Sequence, residues 1–255
     1  MWKDFSIEQV MTPETLLRQL GITSPTQLDL EVIAWHCGLE IQYRPLRGCD
    51  ARVVGCGDRG LLTIDSRQLE ERQRFSIAHE LGHWLLHRGQ LMMCRSNEIE
   101  SPSHSAKGFE TDADTFAAAL LMPAYLFAPA VERVARKEPW AQVRLLSEEF
   151  RTSTLATALR MVNLDLWPGW LLSYSKTGRN WYRRSVKAAL DTVPCAMLDS
   201  RSSAFDIAYG ASSAAKPRKV SGDVWFDTYA SQRVQLLEHA RKYGDDVLAL
   251  VCATN

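Results

Sequence analysis

Residues 74 to 89 read RFSIAHELGHWLLHRG, which puts His79, Glu80 and His83 in one helical turn directly against an apolar run. Successive residues of an α-helix advance by about 100°, so side chains four apart point the same way, about 6 Å along the axis. His79 and His83 can therefore offer two imidazole nitrogens to a single ion. Zinc is the usual choice for such a pair, and a catalytic zinc commonly takes two histidines, a carboxylate and a water. Glu80 follows the first histidine and points to one side, where it reaches the water and not the ion. Zinc lowers the pKa of that water from near 16 to about 7. Glu80 accepts the proton and hands it to the leaving amine, so H-E-x-x-H encodes metal-assisted peptide hydrolysis. The same letters also arise as two helix histidines with a salt-bridging glutamate. The small neighbours Ala78 and Gly82, and a carboxylate-bearing helix downstream, favour the metal. A metzincin would carry a third histidine at the position of Gly89, so the third ligand comes from elsewhere.

The stretch FETDADTFAAALLMP, residues 109 to 123, supplies it. Glu110 and Asp114 are four apart and share a face, whereas Asp112 points about 200° away from Glu110. The apolar stripe Phe109, Ala113, Phe116, Ala117, Leu120 and Leu121 must be buried, which leaves Glu110 and Asp114 together at its margin. Glu110 is the expected third ligand. Asp114, one turn on, is expected to accept the outer N–H of a ligand histidine and hold its tautomer. The competing explanation is that a first helical turn favours acids for its dipole, which accounts for Glu110 and Asp112 without a metal.

The surrounding elements must position these helices. Thr12-Pro13 and Ser24-Pro25 each mark a helix start, with Gly21 and Gly38 where the helices should stop. Three strand-like runs follow, LEIQYRPL, ARVVGCGD and GLLTIDS, and predict a small antiparallel sheet. Asp65 or Ser66 then caps a long helix running to about Arg88. Residues 90–107 show no sustained period and are expected to form a mobile loop. The second site helix starts near Gly108, and Pro123 ends it. Three helices occupy 124–164. Beyond Leu166 the texture changes to strands at WPGWLLSYS, NWYRRSV, GDVWFD and DDVLALVCA, with a helix at SQRVQLLEHARKYG and a polar loop at 212–222.

Bulk composition narrows the function classes. The chain has 255 residues, 46% of them hydrophobic, and its 30 basic residues balance 30 acidic ones. No net charge points to nucleic acid or a membrane surface. The first residues do not read as a signal peptide, and no apolar stretch approaches the roughly 20 residues that span a bilayer. Six cysteines are scattered without CxxC pairs, which suits reduced thiols in the cytoplasm. A cytoplasmic protein with no membrane partner is the expectation.

RFSIAHELGHWLLH followed by ETDADTFAAALLMP resembles the ImmA/IrrE family of metallo-endopeptidases, which pair an HELGH helix with a later E-x-x-A-N/D-x-F-A-x-x-L-L-M-P helix. The resemblance implies zinc on His79, His83 and Glu110, with Glu80 as the catalytic glutamate. Asp114 stands where asparagine is common, and aspartate orients a histidine at least as well. It also implies a minimal zincin fold, and a partner that is a protein substrate, typically a helix-turn-helix repressor controlling stress or mobile-element genes. The expected architecture is thus α+β. It comprises a zincin-like metallopeptidase core at 1–123 of the gluzincin type, a helix-turn-helix-like segment at 124–165, and an α/β sensor or substrate-recognition domain at 166–255.

Other signals carry less. His87, four residues past His83, is assigned to packing at the helix end, with contact to substrate or water as the second choice. Cys94 and His104 are reserve ligands. Residues 143–162 have the cadence of a helix-turn-helix, but Glu148 and Glu149 offset Arg144, Arg151 and Arg160, so DNA contact ranks below packing. A DNA-binding regulator with a structural zinc is the alternative reading. Trp167, Trp170, Trp181 and Trp225 are read as core, or as the lining of a sensor pocket.

Overall fold

The computed structural model describes residues 12–87, 104–210 and 212–254. Two short helices open it. Thr12 caps α1 (Pro13–Gln19) by accepting from the Thr15 amide, and Asp29 caps α2 (Leu30–His36) by accepting from two amides. Ser24-Pro25 starts only a single 3-10 turn, so the helix expected there is shorter than its sequence signal. Gly21 and Gly38 adopt φ of 72° and 87°, the left-handed termination that glycine allows at least cost.

Three strands follow: β1 (Leu39–Arg44), β2 (Ala51–Cys56) and β3 (Arg59–Asp65), in the order β1-β3-β2. The sheet is mixed, not antiparallel throughout: β3 pairs antiparallel with β2 and parallel with β1. The two-residue turn at Gly57-Asp58 forces β2 and β3 into a hairpin. The longer 45–50 segment crosses the end of β3, where Asp65 accepts from the Leu46 amide and donates its own amide to the Asp50 carbonyl. That crossing seats β1 on the far side of β3. Asp65 is consequently spent on this loop and on Arg67, and it does not cap the next helix. The helix α3 (Glu70–Leu86) starts at Leu69 without a side-chain cap, and Glu70 and Glu71 in its first turn face its positive end.

The helix α3 lies between the sheet and α4 (His104–Leu121). Toward the sheet, the Trp84 ring lies where a Cβ on Gly55 would come within 2.4 Å of it, and its indole N–H donates to the Cys37 carbonyl at 2.8 Å. Toward α4, a Cβ on Gly82 would meet the Ala113 backbone and the Phe116 Cβ at 3.1–3.3 Å. The expected loop at 90–107 is shorter at its C-terminal end, because α4 already begins at His104; residues 88–103, with Cys94 and Gly89, lie outside the described residues. Pro123 ends α4 as expected, and α5 (Ala124–Val134), α6 (Pro139–Phe150) and α7 (Thr154–Asn163) follow. Among the described residues no single helix is long and apolar enough to cross a membrane.

The chain divides into two compact units. The first is residues 1–130 with 146–153. The second is residues 131–145 with 154–255. Its sheet is built from β4 (Gly169–Ser175) and β5 (Gly178–Arg184), then, after α8 (Ser203–Tyr209), β6 (Arg218–Ser221), β7 (Gln235–Tyr243) and β8 (Asp246–Ala253). The order is β5-β4-β8-β7-β6 and every pairing is antiparallel, so the expected α/β arrangement is corrected to a strand-dominated layer. The segment expected as a helix at 231–244 is mostly β7. Its Leu, Glu, Ala and Arg favour helix, but pairing with β6 on one side and β8 on the other overrides that weak preference. Conversely GDVWFD, expected as a strand, forms a 3-10 turn at Gly222–Val224, with Val224, Trp225 and Phe226 all buried. The polar stretch at 212–222 contains β6. Trp170 and Trp225 sit in this core with Tyr174 and Phe226. The carboxylate of Glu238, fully buried, accepts from the Trp225 indole at 2.8 Å and from the Ser203 amide.

The contact at Gly82 carries a prediction. Gly82→Val forces α3 and α4 apart, and overpacking of this kind costs about 1–3 kcal/mol. Urea denaturation of the wild type and the variant checks it, with a lower midpoint expected for the variant.

Candidate metal centre and its cleft

The imidazoles of His79 and His83 sit on successive turns of α3 and meet at their Nε2 atoms, 3.0 Å apart. Glu110 of α4 brings Oε2 to 3.3 Å from His79 Nε2 and Oε1 to 3.5 Å from His83 Nε2. The three donor atoms lie within 4.8 Å of one another. Donors around a tetrahedral zinc with bonds near 2.1 Å stand about 3.4 Å apart. Two imidazoles and a carboxylate at these separations fit such an ion in both chemistry and size.

The α3 and α4 helices run antiparallel here, since His79 meets Asp114 while His87, two turns on, meets Phe109. Asp114 Oδ1 is 2.9 Å from His79 Nδ1, on the side of the ring away from the donor cluster. A carboxylate there makes Nδ1 the protonated nitrogen and leaves the Nε2 lone pair facing Glu110 and His83. Burial and the neighbouring His79 hold the His83 imidazole below its usual pKa, and so in the neutral form that a metal requires. Burial lifts the Glu80 carboxyl above its ordinary range, against the pull of His79 and with the help of Glu110. A carboxyl raised toward neutrality both accepts and returns a proton, which is the property of a general base that later serves as an acid.

These side chains line a cleft of about 890 Å³. Its other wall is the 47–54 segment, including β2, together with Arg72 and Phe75 of α3. Asp50 on this wall is held by Arg72 at 2.8 Å. Among the described residues β2 pairs only with β3, so its second edge is unpaired. Nothing in the sequence singled out this wall, because which strand becomes the edge depends on the crossing of the 45–50 segment.

The structure thus brings His79, Glu80, His83, Glu110 and Asp114 to one cleft. His87 is buried and packs at the end of α3 as expected, against Phe109, and it is also in contact with His83: the two Nδ1 atoms are 3.0 Å apart. The signal was present as a third histidine at the same four-residue spacing. Asp112, which points away from Glu110, has Oδ2 3.9 Å from His87 Nε2. His104 opens α4 in the backbone, and Cys94 lies outside the described residues. The five described cysteines are all free.

Residues 36–162 match the IrrE N-terminal-like domain. The radiation response metalloprotease IrrE of Deinococcus radiodurans is 29% identical over 96 residues, which cover 38% of this chain and 29% of that protein. The match therefore spans less than a third of that relative. A solved structure described as a Mycobacterium tuberculosis transcriptional regulator superposes with a TM-score of 0.60 at 16% identity, covering 94% of this chain and 86% of the other, a likeness that shows the fold alone. With its HELGH helix and glutamate-bearing helix inside the matched IrrE N-terminal-like domain, the chain belongs to the ImmA/IrrE family.

Proposed function

We propose that this protein is a zinc-dependent endopeptidase that cleaves a specific protein partner, a helix-turn-helix repressor, within a stress-response or mobile-element circuit in the cytoplasm. The observation that carries this reading is the convergence of His79, His83 and Glu110 in a cleft that also holds Glu80. His79, His83 and Glu110 would hold the metal. When bound there, zinc would polarise the scissile carbonyl and acidify the attacking water.

The chain supplies the remaining steps. Glu80 takes a proton from the attacking water and delivers it to the amine nitrogen as the peptide bond breaks. Asp114 keeps His79 turned so that Nε2 is free toward the donor cluster. The edge of β2 that is unpaired among the described residues offers backbone N–H and C=O groups along the cleft wall, where an extended stretch of the partner adds as a further strand. Such pairing favours a flexible, strand-like cleavage site. It works through backbone groups, and leaves specificity to the side chains of the 47–54 wall and Arg72.

DNA contact ranks below cleavage. Arg151, which stands at the turn between α6 and α7, has its Nε 2.7 Å from Glu70 Oε1, an ion pair that offsets the charge a phosphate would need.

The roles separate by mutation. Glu80→Gln is expected to retain zinc and lose cleavage by about 10²–10⁴-fold, the range of a lost general base. His83→Ala is expected to lose both. Asp114→Ala should weaken zinc binding by about 10–100-fold, as loss of a carboxylate behind a ligand histidine does. The decisive measurement compares newly formed protein N-termini in cells making wild type or Glu80→Gln, with and without DNA damage or oxidative stress. A new terminus in a repressor that appears only with wild type is the expected result. Identical termini under every condition would remove the endopeptidase.

A further inference from the structure

His87 is 4% exposed and lies on α3 one turn beyond His83. It touches none of the three donor atoms directly. Its Nδ1 is 3.0 Å from His83 Nδ1, its ring packs on Phe109 at 4.5 Å between centroids, and its Nε2 lies 3.9 Å from Asp112 Oδ2. His83 therefore has one ring nitrogen in the donor cluster and the other on His87, as His79 has one in the cluster and the other on Asp114.

We infer that His87 is a positioning residue for the metal centre: it accepts the outer N–H of His83 and so sets that ligand's tautomer and ring orientation. The inference rests on the zinc reading above. Two imidazole nitrogens 3.0 Å apart form a hydrogen bond only when one carries the proton and the other a lone pair. If His83 gives its Nε2 lone pair to a metal, its Nδ1 holds the proton, and His87 must offer Nδ1 bare and carry its own proton on Nε2. Asp112 faces that Nε2. At 3.9 Å the contact is electrostatic and not a hydrogen bond, but its negative charge favours a proton on the facing nitrogen. Phe109 fixes the ring plane. The two ligand histidines are thus oriented by different chemistry, His79 by a carboxylate directly and His83 by a neutral imidazole. A neutral acceptor buried at the helix end orients His83 without adding a second charge beside the metal.

Two variants test this in the full chain. His87→Leu removes the acceptor and keeps an apolar side chain against Phe109, whereas His87→Asn places an amide oxygen near the position of Nδ1. Zinc affinity is measured by competition with a chromogenic chelator, and thermal melting reports folding. His87→Leu is expected to bind zinc about 10–100-fold more weakly, the range for lost partners of ligand histidines, and His87→Asn to recover most of that loss. Nitrogen-15 NMR of the zinc-loaded wild type should show His87 protonated at Nε2 and bare at Nδ1. Equal zinc affinity in His87→Leu and wild type, a loss that His87→Asn does not repair, or an Nδ1-protonated His87 would each overturn the inference while leaving the peptidase standing. A wild type that takes up no zinc would remove both.

Discussion

The backbone separation of α3 and α4 at Gly82 governs what the cleft can do. Imidazole nitrogens and a carboxylate from two different helices must converge to within about 3.5 Å, the spacing that a shared ion imposes. Side chains as short as glutamate and aspartate span that gap only if the helices nearly touch. Gly82, with no side chain, lets the α3 backbone rest against Ala113, and Ala78 and Ala117 are buried without adding bulk. On the opposite face of α3, Trp84 occupies space left open by Gly55 and Gly60, so the helix is held from the sheet side as well. Interiors packed at crystal-like density transmit such constraints over a whole helix with little slack.

The electrostatics follow from that placement. His83 and His87 are buried in the seam, whereas Glu110 and Asp114 approach from its more exposed edge. The carboxylates keep much of their hydration, whereas burial holds the His83 imidazole below its usual pKa. Metal ligation asks for this division, because histidine must be unprotonated and carboxylate ionised at the same pH. Glu80 is placed between the two regimes, with burial holding its carboxyl above the usual range.

The cleft is completed by an element that contributes no ligand. Because the 45–50 segment crosses the end of β3, the hairpin partner β2 is left as the outer strand beside the HELGH helix, with one edge unpaired among the described residues. Edge strands invite pairing, and proteins usually cover or charge them. Here the edge borders the donor cluster and Arg52 sits on it, which suits a strand that is paired transiently by a peptide.

That His79 and His83 share a face of α3, with Glu80 beside them, is legible in the letters because helical spacing is a local property: four residues bring two side chains to one face whatever the rest of the chain does, whereas the approach of Glu110 depends on how α4 packs. The caps at Thr12, the stops at Gly21 and Gly38 and the break at Pro123 were legible for the same reason. Asp65 does not cap the helix, since its carboxylate is taken by the distant Leu46 amide and by its near neighbour Arg67. The mixed sheet, β7 in place of a helix, and the turn at Gly222–Val224 were not legible, because each is decided by partners far along the chain. The role of His87 lay between these cases. Its spacing was visible, but whether the third imidazole would face solvent, core or His83 depended on Phe109 and the closeness of α4. Local periodicity determined which groups stand together on α3. Only tertiary packing decided what faces them, because the second helix and the edge strand are held in place by long-range burial, which no local spacing encodes.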